Sequence, residues 1–501
     1  MYSLTFKEFL KLSRRGNVIP IYKEINADLD TPVSAYLKIA SGDFSFLLES
    51  VEGQEKIARY SFLGANPALV LRAYGKKIQI IDKGRASSKR FTASKDPLDE
   101  IRQIMQTFKP VAIKELPRFS GGMVGFMGYD MGRFFENIPD KNPDKLNLPD
   151  MVFMLTDTIL IFDHVRHTIK IVANVILPDK KNPKARLTKL YKNALNNITQ
   201  MHKRLNQPLA GKEMEFLNCA KKVKVSSNYK KSEFQDMVRK AKKYIRAGDI
   251  IQVALSQRFS LALSGQAFDV YRRLRGINPS PYMFFLKLDD ISLVGASPEL
   301  LVRCEDAIIQ TRPIAGTRPR GKNEEEDKKL EEELLNDAKE KAEHIMLVDL
   351  GRNDLGRVAK SGKVQVSQLM KVERYSHVMH IVSEVKALLD EKFDAYSALR
   401  ACFPAGTVSG SPKVRAMEII DELENTRRGP YAGCVGYFGF SQNMDTCITI
   451  RTIVIKQRTC YIQAGAGIVA DSRPEKEYYE TVNKAKALIE AISVVTCQRQ
   501  V

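Results

Sequence analysis

The chain has 501 residues, 44% of them hydrophobic and 28% charged, a balance typical of soluble globular proteins and long enough for two hydrophobic cores. Its formal net charge of +20 raises nucleic acid as a partner, but the basic residues are spread along helical stretches and no tryptophan is present to stack on bases, so a solvated basic surface and no nucleic-acid partner are expected. No apolar run approaches the roughly 18 residues of a membrane span, no signal-peptide pattern is read at the start, and the cysteines lie without a CxxC pair, so a cytoplasmic protein with no membrane partner is expected.

In chain order, residues 34 to 84 read as strands between Gly and Pro turns: AYLKIA, SFLLES, RYSFLGANPALVLRAYG and KIQIID. A helix is expected near 97 to 108, after which GGMVGFMGYD and MLTDTILIFDHVRHTIKIVANVI resume strand character. A polar helix follows in ARLTKLYKNALNNITQMHKRLNQ, and the turn-rich, charged stretch after it places a boundary near 210 to 228. The second half opens on a helix with Ser232 as expected N-cap, Phe234, Met237, Val238, Ala241 and Ile245 on one face, and Gly248 as its stop. Strands are expected in IIQVALSQRFSLAL, YMFFLKLDDISLVGAS and LLVRCEDAIIQTRP. Beyond Asn323 one helical stripe is expected through Leu330, Leu334, Ala338, Ala342 and Ile345. The last third alternates a helix in SPKVRAMEIIDELE, three strands and a closing helix from Pro474. The expected fold class is α+β, mainly antiparallel β-sheets with helices packed around them, in two interleaved domains, 1–215 and 228–495.

Several stretches carry groups suited to chemistry. TRPIAGTRPRG, Thr311 to Gly321, gathers arginines and glycines around Ala315 and looks built to hold an anion, although its central residue has no functional group. YIQAGAGIVA matches a dinucleotide fingerprint at Gly465, Gly467 and Ala470, but Pro474 interrupts the helix that such a motif needs. What remains is either a seat for a smaller anion on the Gly465–Gly467 backbone or a tight strand bulge. PEKEYYETVNKA places Glu477, Glu480 and Lys484 on one helical face, and EKAEHIMLVDL sets Glu343 just before an apolar run. Carboxylates without soft ligands nearby suit Mg²⁺, or else form surface ion pairs. GTVSGSPKVRAM offers a helix N-terminus with Ser411 as N-cap and Pro412 at the first helical position, without the ending of a P-loop; Lys413 stays open between anion binding and structure.

Taken jointly, PIAGTRPRG, AEHIMLVDLGRNDLGRV, GTVSGSPKVRAM, RGPYAGCVGYFG, IRTIVI and QAGAGIVADSRPEKEYYETVNKA resemble the chorismate-utilising enzymes over nearly the full length, and most of all the anthranilate-forming members. The resemblance implies that family's fold and a reaction in which chorismate and ammonia give anthranilate and pyruvate, the first step from chorismate towards tryptophan. It implies Mg²⁺ held by Glu343 and Glu480. Chorismate would be held by Gly316, Thr317, Tyr431, Arg451, the backbone of Gly465, Ala466 and Gly467, and Lys484. Glu299 of GASPELL matches the general acid for the departing hydroxyl, and His380 of VMHIVSE the acid/base group of pyruvate elimination.

Two positions separate the chain from other members. Isochorismate and salicylate synthases of the family carry a water-activating lysine where DIIQVALSQRF has Gln252, an amide with no useful basicity. Aminodeoxychorismate synthase carries a nucleophilic lysine where this chain has Ala315, so an external amine must attack. Aminodeoxychorismate or isochorismate synthesis is the alternative within the family. No cysteine stands in a G-x-C-x-G glutaminase context, which implies a separate glutamine amidotransferase subunit and a hetero-oligomer. FLLESVEGQEKIARYSFLG and NPSPYMFFL match the family's tryptophan feedback segments. They assign Leu48, Glu49, Ser50, Asn278, Pro281, Tyr282 and Met283 to the effector, with 1–215 contributing to that site and 228–495 forming the chorismate-binding catalytic domain.

Overall fold

The computed structural model describes residues 2–50, 59–82, 88–92, 96–178, 182–209, 223–375 and 378–498. Two 12-stranded sheets with antiparallel ladders form the frame, and helices cover their outer faces, the expected α+β architecture. Neither sheet belongs to one half of the chain. In the first, Phe44–Glu49 pairs with Tyr282–Leu288, so that Phe44 lies opposite Leu288 and Glu49 opposite Met283. In the second, Gly122–Met127 pairs with Cys434–Gly439. The segments 1–215 and 228–495 thus contribute strands to both sheets, and residues 210–222 of the expected boundary lie outside the described residues.

The period-two alternation of the strands explains the layers. Along Phe44–Glu49, Phe44, Phe46 and Leu48 pack in the core between the sheets, with Phe284 of the first sheet and Phe126 and Tyr437 of the second. Ser45, Leu47 and Glu49 turn to the opposite face, where helices cover the sheet: the Ser45 hydroxyl meets that of Tyr36 at 2.6 Å, and Leu47 packs with Tyr271 and Phe285. Each fully buried phenylalanine of this sandwich stabilises it by about 1.5–3 kcal/mol.

The structure departs from the sequence expectations at four local points. AYLKIA is helix, not strand: Pro32–Ile39 begins at Thr31, whose Oγ1 accepts from the Ser34 amide at 3.1 Å while Ser34 Oγ accepts from the Thr31 amide at 2.9 Å. That reciprocal cap, with Pro32 at the first position, outweighs the strand look of the apolar residues. Ser232 lies inside the helix Lys231–Ala247, where the Lys230 amide donates to the Glu233 carboxylate at 2.7 Å; Gly248 ends this helix with φ 84°. Pro412, not Ser411, caps the helix Lys413–Leu423. The stripe from Leu330 to Ile345 breaks at Asp337, which closes Glu324–Asn336 and caps Ala338–Gly356, leaving Leu334 fully buried and Ile345 half exposed.

Candidate active site

A cavity of about 530 Å³ lies where Gln252–Ala262 and Thr459–Ile468 of the first sheet approach Ile314–Pro319 and Val378–Leu389 of the second, between the helices Ala338–Gly356 and Pro474–Gln498. It has the size of a small-molecule site. Its walls hold Glu299, His380, Glu343 and Glu480, the Gly316–Thr317 and Gly465–Gly467 segments, Tyr431, Arg451 and Lys484, as well as Gln252 and Ala315. The two helices that carry Glu343 and Glu480 therefore meet across one space.

Backbone irregularity shapes one wall. The ladder between Ile314–Pro319 and Val378–Leu389 shifts register between Ala315 and Thr317. The extra residue, Gly316, adopts φ 66°, a left-handed conformation open to glycine. Its carbonyl lies 2.9 Å from His380 Nδ1, and Thr317 Oγ1 lies 3.1 Å from the same nitrogen. A carbonyl only accepts, so Nδ1 carries the hydrogen and Nε2 is the basic nitrogen. Burial holds the imidazole below its ordinary pKa, so at neutral pH it is an uncharged base.

On the facing wall, Thr459–Ile468 pairs with Gln252–Ala262 along its length but with Thr452–Lys456 only as far as Ile462. The register is unbroken, which removes the bulge reading, and from Gln463 onward one strand edge has no neighbouring strand among the described residues. Gly465 is required by close approach, since a Cβ there would stand 2.6 Å from the Tyr431 hydroxyl. Lys484 Nζ donates to the Gly465 carbonyl at 2.9 Å and to Glu480 Oε1 at 2.6 Å. Arg451 is oriented by donation from its guanidinium to the Lys484 carbonyl at 2.6 Å.

The carboxyl groups differ in environment. Burial pushes Glu299 up to about 8, so it is protonated at neutral pH and able to donate. Burial, with the charge of Glu340 next, raises Glu343; burial likewise raises Glu477, with Glu480 adding to it. Among the described residues no group of three or more His, Cys, Asp or Glu side chains is arranged to hold a metal ion. Two carboxylates from separate helices, with oxygen donors only, suit a hard cation that completes its shell with water and ligand oxygens.

Four polar or charged cavity residues were not singled out by the sequence: Lys339, Glu340, Thr407 and Gln463. Among the described residues Gln463 Oε1 and Gln252 Oε1 are buried without a hydrogen-bond partner, so they stand ready for a ligand's donors, while the Thr407 hydroxyl lies against the Glu299 carboxyl. Only the GTVSG context of Thr407 offered a signal. The arginines of TRPIAGTRPRG face protein carboxylates instead of an anion: Arg312 pairs with Glu373, Arg318 with Asp337 at 2.9 Å and Arg320 with Asp327 at 2.5 Å. Lys413 is likewise structural, donating to both oxygens of Asp354 at 2.8 Å.

A second pocket, of about 70 Å³, opens between the sheets where their halves join. Leu48, Glu49, Ser50, Pro281, Tyr282 and Met283 line it with Phe62, Phe284 and Val435. Asn278 ends the helix Ala267–Ile277 and does not line the pocket. The Glu49 carboxylate is held from that helix, by the Tyr271 hydroxyl and by Arg275 Nε at 3.0 Å. Asp445 takes Arg303 Nε at 2.9 Å, the Tyr282 hydroxyl at 3.1 Å and Arg118 at 3.3 Å.

Comparison with known proteins agrees with this architecture. Residues 43–490 match the family described as chorismate binding enzyme. The chain is 50% identical to anthranilate synthase component 1 of Aquifex aeolicus, over 98% of each chain. The crystal structure of anthranilate synthase component I from Streptococcus pneumoniae superposes with TM-score 0.75 at 37% identity, covering 93% of this chain and 99% of that one. The menaquinone-specific isochorismate synthase of Escherichia coli, at 18% identity and TM-score 0.70, shares the fold. The chain belongs to the chorismate-binding enzymes, in the branch of anthranilate synthase component 1. No described helix is long and apolar enough to cross a membrane.

Proposed function

We propose that this chain converts chorismate and ammonia into anthranilate and pyruvate, using Mg²⁺ and ammonia supplied by a separate glutamine amidotransferase subunit, under feedback inhibition by tryptophan. The observation that carries the reading is the pairing, in one cavity, of the buried Glu299 carboxyl with Gln252 and Ala315. An acid is present to protonate a leaving hydroxyl, whereas neither position offers the basic group that would activate water or attack the ring itself.

In this reading chorismate lies between the Gly316–Thr317 turn and the Gly465–Gly467 edge, its carboxylates near Lys484 and Arg451. Glu299 gives its proton to the departing C4 hydroxyl as ammonia adds to the ring. His380 Nε2 then takes the ring proton during loss of pyruvate, while the Gly316 carbonyl holds Nδ1–H. Mg²⁺, held by Glu343 and Glu480, would offset their charge and that of the ring carboxylate. The second pocket, apolar between the sheets and bordered by Tyr282 and Met283, supports the effector role.

Purified chain with chorismate, Mg²⁺ and an ammonium salt is expected to release fluorescent anthranilate, identified by mass spectrometry. Aminodeoxychorismate or isochorismate as the product would replace this reading with another activity of the family. Glutamine is expected to substitute for ammonium only when the amidotransferase subunit is added.

A further inference from the structure

We propose that Arg318 is a positioning residue that locks the Gly316–Thr317 turn to the helix carrying Glu343, fixing the substrate wall against the cation wall. This rests on the function proposed above. One guanidinium nitrogen, NH1, donates to the Thr317 carbonyl at 3.0 Å, and the other, NH2, to Asp337 Oδ2 at 2.9 Å. Asp337 is the N-cap of Ala338–Gly356, and its Oδ1 accepts from the Lys339 and Glu340 amides at 3.0 and 3.1 Å. One carboxylate thus divides its two oxygens between helix and strand, and Arg318 closes the link to the turn.

The strand ladder and a buried bond between His344 Nε2 and Ser383 Oγ, at 2.5 Å, tie the helix to Val378–Leu389, but the turn itself, where the ladder shifts register, has less support. The apolar residues beneath it, Leu334, Met379 and Ile381, form a small cluster apart from the main cores. A cluster of that size restrains the turn and the start of the helix weakly, so a polar link there adds to their spacing. Arg312 and Arg320 do not provide one to this helix, since they engage Glu373 and Asp327. Arg318 also stands 3.8 Å from Glu340, whose carboxylate lies against Gly316, 3.3 Å from where a Cβ would be.

The Arg318–Asp337 pair is partly open to solvent, with side-chain exposures of 25% and 32%, and such pairs add little to global stability. Displacing reacting groups by about 1 Å, by contrast, costs roughly 100-fold in rate. Loss of Arg318 should therefore damage turnover far more than stability, which separates positioning from a purely structural role.

The full chain carrying Arg318→Ala, Arg318→Lys or Asp337→Asn tests this, with chorismate, Mg²⁺ and ammonium. Asparagine retains the helix cap and removes the charge that holds the guanidinium. Arg318→Ala is expected to lower kcat about tenfold or more, and to weaken Mn²⁺ binding, followed by electron paramagnetic resonance, severalfold, while Tm moves by only a few degrees. Arg318→Lys, a single-point donor, should recover part of the loss. Asp337→Asn should act in the same direction, and combining it with Arg318→Ala should add nothing further. Turnover and Mn²⁺ binding within twofold of the parent in Arg318→Ala, or fully additive losses in the double variant, overturn the proposal. Should Arg318→Ala fail to fold, Asp337→Asn carries the same measurements. A parent chain that makes no anthranilate defeats the functional reading instead, whereas an active parent with an indifferent Arg318→Ala defeats this inference alone.

Discussion

The two cavities treat their charged groups in opposite ways. In the larger one, burial raises Glu299, Glu343 and Glu477, and among the described residues the amide oxygens of Gln252 and Gln463 have no partner. In the smaller one the carboxylates are already matched, Asp445 by Arg303, Arg118 and Tyr282, and Glu49 by Arg275 and Tyr271. Among the described residues Ser50 Oγ and Arg118 Nε are left there for a ligand's polar end. A buried polar group left unmatched is costly, so its retention marks a space whose chemistry the ligand completes. A pocket that mainly recognises an apolar ring can be electrostatically finished beforehand.

That contrast can be broken by experiment. The largest effect is expected for Glu299→Gln, which removes the proton donor and should lower kcat by about 10²–10⁴ with the fold retained. Glu343→Gln should cost about 10² in turnover and raise the Mg²⁺ needed for half-saturation, measured in steady-state assays. Parent turnover should fall as pH rises through about 8, because the donor is then ionised, and the ammonia supply must be held constant across the profile. Gly465→Ala should reduce kcat/KM about tenfold by pressing on Tyr431, 2.6 Å from the new Cβ. In the other pocket, Met283→Ala should weaken tryptophan inhibition about tenfold while turnover without effector stays within twofold. An equal loss of basal turnover there would mean that the two cavities are not separate sites.

A further expected effect concerns stability. Glu299 has a folded-state pKa of about 8, above its ordinary value of 4.5, so the native state binds the proton more tightly than the unfolded chain. Its stabilising contribution is complete below the ordinary value and is lost as pH rises towards about 8, at most about 1.4 kcal/mol per pH unit. Glu299→Gln should flatten that slope in thermal melts between these limits.

Much of this site was legible because its groups sit in short, locally ordered stretches. Glu477, Glu480 and Lys484 share a helix face by spacing alone, and Gly465 and Gly467 announce close backbone approach. The meeting of Glu343 with Glu480 was not readable without the family likeness, since it depends on where two sheets bring separate helices. Arg312, Arg318 and Arg320 looked like anion ligands because their carboxylate partners lie on other elements, out of reach of a local reading. Gln463 escaped notice for a different reason: what distinguishes it is an unpartnered amide oxygen, which leaves no trace in composition or period. The helix Pro32–Ile39 was lost to strand propensity when the Thr31–Ser34 cap had already settled it.

The pairing of early strands with late ones has a consequence for synthesis. When residues up to about 250 have left the ribosome, Phe44–Glu49 and Gly122–Met127 each still lack the neighbour that Tyr282–Leu288 and Cys434–Gly439 will provide. Both are hydrophobic strands that end up inside their sheets, so the nascent chain carries one adhesive edge until Leu288 has emerged and the other until Gly439 has. The second sheet therefore cannot be completed before the last third of the chain is made.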